Sequence, residues 1–332
     1  MKDQRGTGPR SLVTGEGRHN NGPSAVARLR ADRNARRTLS IVTLLPVFLI
    51  AAITLALIIR SWPVVGGKPL AQTVFGAVWK PEQGLFGFWP FIAGTAWVTV
   101  VGMGLAVAPC VFTSLYLSEY ANVATRVLAK PVLDLLAAIP PVVYGVWGLL
   151  AVVPFVEDVL APLAKRWLVG IPIFAVNQPT GFGILAGGIV LAVMVAPFII
   201  AVLYEILDTV PEELRHASLA VGATRWQTIR GVVIPKVLPG MVAGIVLGAS
   251  RALGETIAVL MVVGNVVHVP TSVFDAAYPL PALIANNYGD MMSIPLYDAA
   301  LLSGALVLLV VILIFNILST LVLQRLLGRG WT

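Results

Sequence analysis

The sequence predicts an all-α polytopic membrane protein with six transmembrane helices. Three observations lead there. Of 332 residues, 58% are hydrophobic and only 12% charged, about half the charged share of a soluble domain. The mean hydropathy is +0.88. The apolar residues fall into six runs, each of roughly 20 residues or more, enough to cross a hydrocarbon core of about 30 Å. Backbone polar groups in lipid must pair within their own segment, so each run is read as a helix.

The first span, 39–59, follows a polar tail. Residues 1–38 carry nine Lys/Arg against three acids. The apolar run is long and "LIIRSWPVVGG" offers no small-residue cleavage site, so it reads as an uncleaved anchor rather than a signal peptide. The tail reads as a basic, disordered cytoplasmic segment that helps fix topology and meets anionic lipid. It has no aromatic residue and no binding motif, so no nucleic-acid partner is expected.

The second span, 91–117, is preceded by a stretch rich in Gly, Pro and aromatics, where Trp62, Trp79 and Trp89 suit a membrane–water interface. The third, 132–154, contains Pro140 and Pro141. Proline removes a helix hydrogen bond, so a kink is expected there, serving packing or lining a path. The fourth, fifth and sixth spans are 182–204, 237–263 and 299–323, with a short C-terminal segment, 326–332. Placing both termini inside puts 17 Lys/Arg in inner segments and five in outer ones, with Arg251 inside a span. Both ends are therefore expected to be cytoplasmic.

The loop between spans four and five, about 205–236, is the longest polar stretch between spans. "VPEELRHASLAVGA" reads as a helix, with Pro211 at its start and acids in its first turn, where the helix dipole favours them. Gly222 is placed to end it. "TRWQTIRGVVIP" reads as a second short helix with Thr224 as N-cap, interrupted by Pro235. Such a helix, turn and helix outside the bilayer fits either a groove on a cytosolic partner or an interfacial connector.

The fifth span carries two charges, in "ASRALGETIAV". Arg251 is expected near mid-membrane, where a charge costs on the order of 3 kcal/mol on insertion scales. Glu255 stands four residues on, which in a continuous helix places both on one face. The pair reads either as a structural ion pair or as a substrate path. In the second reading the guanidinium binds an oxyanion through parallel hydrogen bonds, and Glu255 keeps that grip weak enough for release. Ser250 and Thr256 would add hydroxyl donors. Glu119 and Asp134 suit solvation or packing at inner helix ends, and Asn286, Asn287 and Asp290 an outer mouth or a partner contact.

The chain has no Gly-rich phosphate loop ending in Gly-Lys-Ser/Thr. Neither its one cysteine nor its three scattered histidines have metal-ligand spacing. An enzyme is not expected.

The loop resembles the Glu-Ala-Ala motif of bacterial ABC importer permeases. The spacing from His216-Ala217-Ser218 to Gly222 and on to Val232-Val233-Ile234-Pro235 matches throughout, with His216 where the motif prefers Glu. "SLYLSEYA", "PVLDLLAAIPPVVYG", "SRALGETIAVLMVVGN" and "LIANNYGD" are similar to the permeases of phosphate-specific importers, the C type more than the A type.

The resemblance covers about residues 40–325 and implies the type I importer permease (MetI-like) fold. It implies that Glu213, His216, Ala217, Ser218, Gly222, Ala223 and Pro235 belong to a coupling loop docking on an ATPase. It also implies that Arg251 and Glu255 act in phosphate passage. The partners it implies are a second permease of the A type, an extracytoplasmic phosphate-binding protein, and two ATPase subunits that bind the ATP and Mg; this chain itself would hold no cofactor. Permeation of sulfate or molybdate is the alternative that shares the loop. An ion-driven secondary transporter is a further alternative, against which the loop's spacing argues, and a membrane sensor or scaffold that binds partners without transport is another, which phosphate uptake after reconstitution would rule out as the sole function.

Overall fold

The structure is a computed structural model, which describes residues 25–66, 69–168, 170–177, 180–289 and 296–328. The expected basic tail lies outside the described residues as far as position 24, and so do Asp290 and 329–332. Among the described residues, six helices are long and apolar enough to cross a membrane.

The chain divides into two compact units, Met1–Thr54 and Leu55–Thr332. The described part of the first belongs to helix α1, Ala25–Val65. Residues 25–38 are therefore helical, a difference from the disorder expected there. Alternation of Ala with Arg and Leu favours helix over coil in that stretch.

In the second unit α2, Leu70–Phe75, leads into a small hairpin. Its strands are β1, Trp79–Lys80, and β2, Leu85–Phe86, with Trp79 opposite Phe86. Trp79 is half-buried in an aromatic cluster. Its ring packs on Phe91 (5.0 Å between centroids), Phe86 (5.4 Å) and Phe88 (5.5 Å), and Phe88 and Phe91 are fully buried. Trp62 is exposed, as an interfacial residue would be.

Helix α3, Trp89–Tyr120, spans next, and Asn122 caps α4, Val123–Ala138, by accepting from Thr125 N. The third span differs from expectation. Pro140 and Pro141 do not kink a helix; they separate α4 from α5, Pro141–Trp167. Ile139 and Pro140 are extended (ψ 128° and 138°), the conformation that a following proline imposes. The span is thus displaced towards the C-terminus and begins with its proline in the first turn, where no N–H is missed.

Helix α6, Ile184–Asp208, is the centre of the unit, with 61% of its best apolar window buried against 39% for α3. The two approach closely through small residues. A Cβ on Gly188 would lie 2.6 Å from Val101 Cγ1, and one on Gly102 would lie 2.9 Å from Leu191 Cδ2. In lipid, such close contact replaces the hydrophobic drive that holds helices together in water.

Helix α7, Glu212–Ala220, follows with Pro211 before it, then the turn at Gly222 with φ +90°. A capping box of Thr224 and Gln227 opens α8, Arg225–Leu253. Pro235 does not interrupt it. A π turn at Ile229–Val233 lies just ahead, and its wider ring absorbs a residue that cannot donate to the ladder. The fifth span instead ends early, at Leu253. Gly254 breaks it, and α9, Ile257–Leu260, is a single turn.

The chain from Val262 to Tyr278 is irregular yet largely buried. Several of its backbone groups pair with the rest of the protein. Ile184 N and Leu185 N at the start of α6 donate to the carbonyls of Asp275 (3.0 Å) and Val273 (2.7 Å), and Gly183 N donates to Val262 O (3.2 Å). The loop satisfies the amides that a helix start leaves open. Helices α10, Leu280–Asn287, and α11, Tyr297–Gly328, complete the chain.

Gly188→Leu is expected to destabilise the protein by about 1–3 kcal/mol through overpacking. Gly104, whose added Cβ would meet nothing within 4 Å, should accept Ala with a neutral or higher melting temperature. Thermal melts of the two purified variants check the contrast.

Candidate functional site

Arg251 sits in the last turn of α8, before the break at Gly254. The one-face pairing with Glu255 is not formed, because the helix ends between them. Glu255 Oε1 instead accepts the N–H of Ala258 (3.2 Å), serving the first turn of α9. Among the described residues Arg251 has no hydrogen bond and no ion pair. Its guanidinium lies over the ring of Phe198 on α6, 5.0 Å from the centroid, and the side chain is exposed in the isolated chain. A ring holds a guanidinium by its face and leaves the N–H donors at its edge open.

The two hydroxyls expected beside it are engaged. Ser250 Oγ lies 2.8 Å from Asn316 Oδ1 on α11 and 3.0 Å from Val246 O, so its one hydrogen is committed. Thr256 Oγ1 donates to Gly254 O at 3.2 Å, across the break. Two glycines let α8 come close enough to α6 for the Arg251–Phe198 stack. A Cβ on Gly248 would be 2.6 Å from Ile199 Cγ1, and one on Gly244 would be 3.0 Å from Val202 Cγ1.

At the α7 end of the bundle a second arginine behaves in the opposite way. Arg215 donates to Glu119 Oε1 through Nη2 (2.9 Å) and Nε (3.2 Å), and to the carbonyls of Leu207 (3.0 Å) and Val210 at the end of α6. Glu119, from the end of α3, is 6% exposed. One side chain of α7 therefore ties the loop to both central helices and pairs carbonyls that α6 leaves open at its terminus. Ser218 Oγ, 2.9 Å from Thr228 Oγ1, ties α7 to α8.

A cavity of about 260 Å³ opens beneath α7, lined among others by Arg126, Asp208, His216 and Arg225. Glu213, His216 and Ala217 are exposed, and Val221 and Trp226 are exposed apolar residues beside Gly222. Ala223 is half-buried, its N–H on Ser218 O, and Pro235 is exposed.

At the other end of α6, Asp275 pins the buried loop. It accepts from Thr271 N (2.9 Å), Ser272 N (2.9 Å), Thr271 Oγ1 (3.1 Å) and Asn177 Nδ2 (3.0 Å). Burial pushes its carboxyl up, but the hydrogen bonds from Thr271, Asn177 and Ser272 outweigh that and hold it below the ordinary 3.8. Asn286 is exposed and Asn287 half-buried, and the amides of both donate to Tyr278 Oη. Asp134 is exposed on α4.

Reading the sequence alone misses Phe198, Asn316, Arg215 and Asp275 as site-forming residues. Asn316 had a signal, as the only amide between Tyr297 and Leu323. Phe198 had none, since an aromatic ring in an apolar span is ordinary.

The chain matches the family described as binding-protein-dependent transport system inner membrane component over residues 110–328. It is 32% identical over 299 residues to the phosphate transport system permease protein PstC of Haemophilus influenzae, covering 87% of this chain and 92% of that protein. It is 35% identical over 262 residues to the probable ABC transporter permease protein YqgH of Bacillus subtilis, covering 78% of this chain and 79% of that protein. A solved structure of the MetNI methionine ABC transporter in an inward-facing conformation shares 20% identity with a TM-score of 0.52, over 70% of this chain and 93% of that one. That likeness places the fold among the MetI-like permeases.

Breaking the Glu119–Arg215 pair leaves a charge without its partner in a mostly buried place. Arg215→Ala is expected to cost about 3 kcal/mol, and adding Glu119→Gln to recover part of it; a double-mutant cycle on melting curves reads this. For Asp275 the folded-state value is depressed. Its contribution is present above 3.8 and is lost as pH falls through the lowered value. Asp275→Asn should lower the melting temperature at neutral pH and flatten its fall in acid, read by melts across that range.

Proposed function

The chain belongs to the inner membrane components of binding-protein-dependent transport systems, and from that premise we propose that it is a permease subunit of an ATP-driven importer of inorganic phosphate. The observation that carries the reading is Arg251: a cation in an apolar span, at a helix break, with no hydrogen bond or ion pair among the described residues. It fits a tetrahedral oxyanion through two parallel hydrogen bonds. The relatives whose printed names give phosphate as cargo support the choice of oxyanion.

A site in a transport path must bind weakly enough to release. Here Phe198 moderates by contact and Glu255 only from a distance. Stacking on the Phe198 ring orients the guanidinium at a cost far below that of breaking an ion pair, about 0.5–2 kcal/mol. Glu255 stays committed to the backbone of α9 and adds a negative charge beyond the break, which opposes tight capture.

The exposed residues Glu213, His216 and Ala217 of α7, with Val221 and Gly222 of the turn and Trp226 at the start of α8, form the surface we assign to an ATPase subunit. Ser218, Ala223 and Pro235 shape the loop behind it. The Arg215 knot joins that surface to the end of α6, and α6 carries Phe198. A push on α7 thus reaches the ring under Arg251 through one helix, over roughly 14 Å at 1.5 Å per residue.

The full assembly in this reading has a second permease of the A type, two ATPase subunits holding ATP and Mg, and an extracytoplasmic phosphate-binding protein. The chain sits in a bacterial cytoplasmic membrane with both termini inside, the side favoured by its Lys/Arg distribution.

Uptake of labelled phosphate, sulfate and molybdate by the reconstituted complex tests this. Phosphate alone is expected to accumulate, with ATP, and Arg251→Gln to abolish uptake while still inserting and assembling. Normal uptake by that variant, or uptake of sulfate or molybdate in place of phosphate, would refute the proposal.

A further inference from the structure

We propose that Asn316 is the positioning residue for Arg251, acting through Ser250. The inference rests on the reading of Arg251 as the path cation and adds how that cation is held in place.

Arg251 has no hydrogen bond of its own among the described residues, and it stands in the final turn of α8. Gly254 N and Glu255 N close the carbonyls of Arg251 and Ala252, which shapes the turn but does not tie it to a neighbouring helix. Something must fix that turn sideways if the guanidinium is to keep one direction. The adjacent Ser250 does so. Its hydroxyl reaches Asn316 Oδ1 at 2.8 Å, from α8 to α11.

The amide of Asn316 is oriented for this. Its Nδ2 donates to Ile312 O at 3.0 Å, so Oδ1 is the atom turned to Ser250. The reversed amide would set an oxygen against a carbonyl. Asn316 lies in a run with no charge and no other amide, and none of the best apolar window of α11 is buried. An amide in such a run is costly unless paired across helices. Its partner is the residue beside the path cation. Ser250 therefore serves the site as a strut, its hydrogen already given away, rather than as a donor to substrate.

The test uses the assembled transporter with Cys110→Ser as background. Asn316→Leu is expected to lower the maximal rate of phosphate uptake at least ~10-fold with the half-saturating concentration unchanged, because the site is displaced rather than lost. Asn316→Gln should restore much of the rate. Ser250→Ala should lower it too, and the double variant should be no worse than the poorer single.

A second readout does not depend on the cargo: the modification rate of Arg251→Cys by a charged thiol reagent, with and without Asn316→Leu. A change of at least ~3-fold is expected, as an untied turn samples more positions. Uptake that survives Asn316→Leu, or that falls with thiol reactivity unchanged, overturns the proposal. If the parent takes up no phosphate, the phosphate reading fails. The thiol rate alone then decides: a change upholds the positioning role and an unchanged rate overturns it.

Discussion

The early end of α8 is the constraint on which the rest of this molecule depends. A helix that stops inside an apolar span strands carbonyls and amides where water cannot reach them. The break at Gly254 is repaired locally. Gly254 N and Glu255 N turn back to the carbonyls of Arg251 and Ala252, and the side chains of Glu255 and Thr256 take further groups. Having broken, the chain runs as irregular backbone within the protein. Only burial against α6 makes that tolerable, and the exchange is mutual, since the loop carbonyls pair the open amides of α6. The site and its scaffold are thus consequences of one interruption.

The two arginines show how environment decides what one residue type does. Arg215 is heavily engaged: a carboxylate and two carbonyls take four of its five N–H donors, and these bonds fix elements to each other. Arg251 stacks on a ring face and has no hydrogen bond or ion pair among the described residues. In the proposed transport cycle the engaged guanidinium would transmit motion and the open one would receive the anion. Both are anchored to α6, one at its end and one at Phe198, so this central helix relates the two.

Much of the fold was legible in the sequence, because span length and the ban on unpaired backbone in lipid leave few choices. Six spans and the helix–glycine–helix loop follow from those rules. The failures share a cause. A 3.6-residue period and an apolar run say nothing of where a helix stops when the following chain is apolar too, as at Gly254. The same ambiguity hid the division at Pro140. The one-face pairing of Arg251 with Glu255 was inferred from spacing, and spacing presupposes a continuous helix. Contacts between distant segments, such as Ser250 with Asn316 or Asp275 with Asn177, have no local signature. Only the oddness of a polar residue in an apolar setting hints at them.

Helix α1 is about 60 Å long at 1.5 Å per residue, twice a bilayer's hydrocarbon thickness. The consequence concerns depth. A helix of that length cannot lie wholly within hydrocarbon, and Arg33, Arg36 and Arg37, all exposed near its start, mark the end that stays in water.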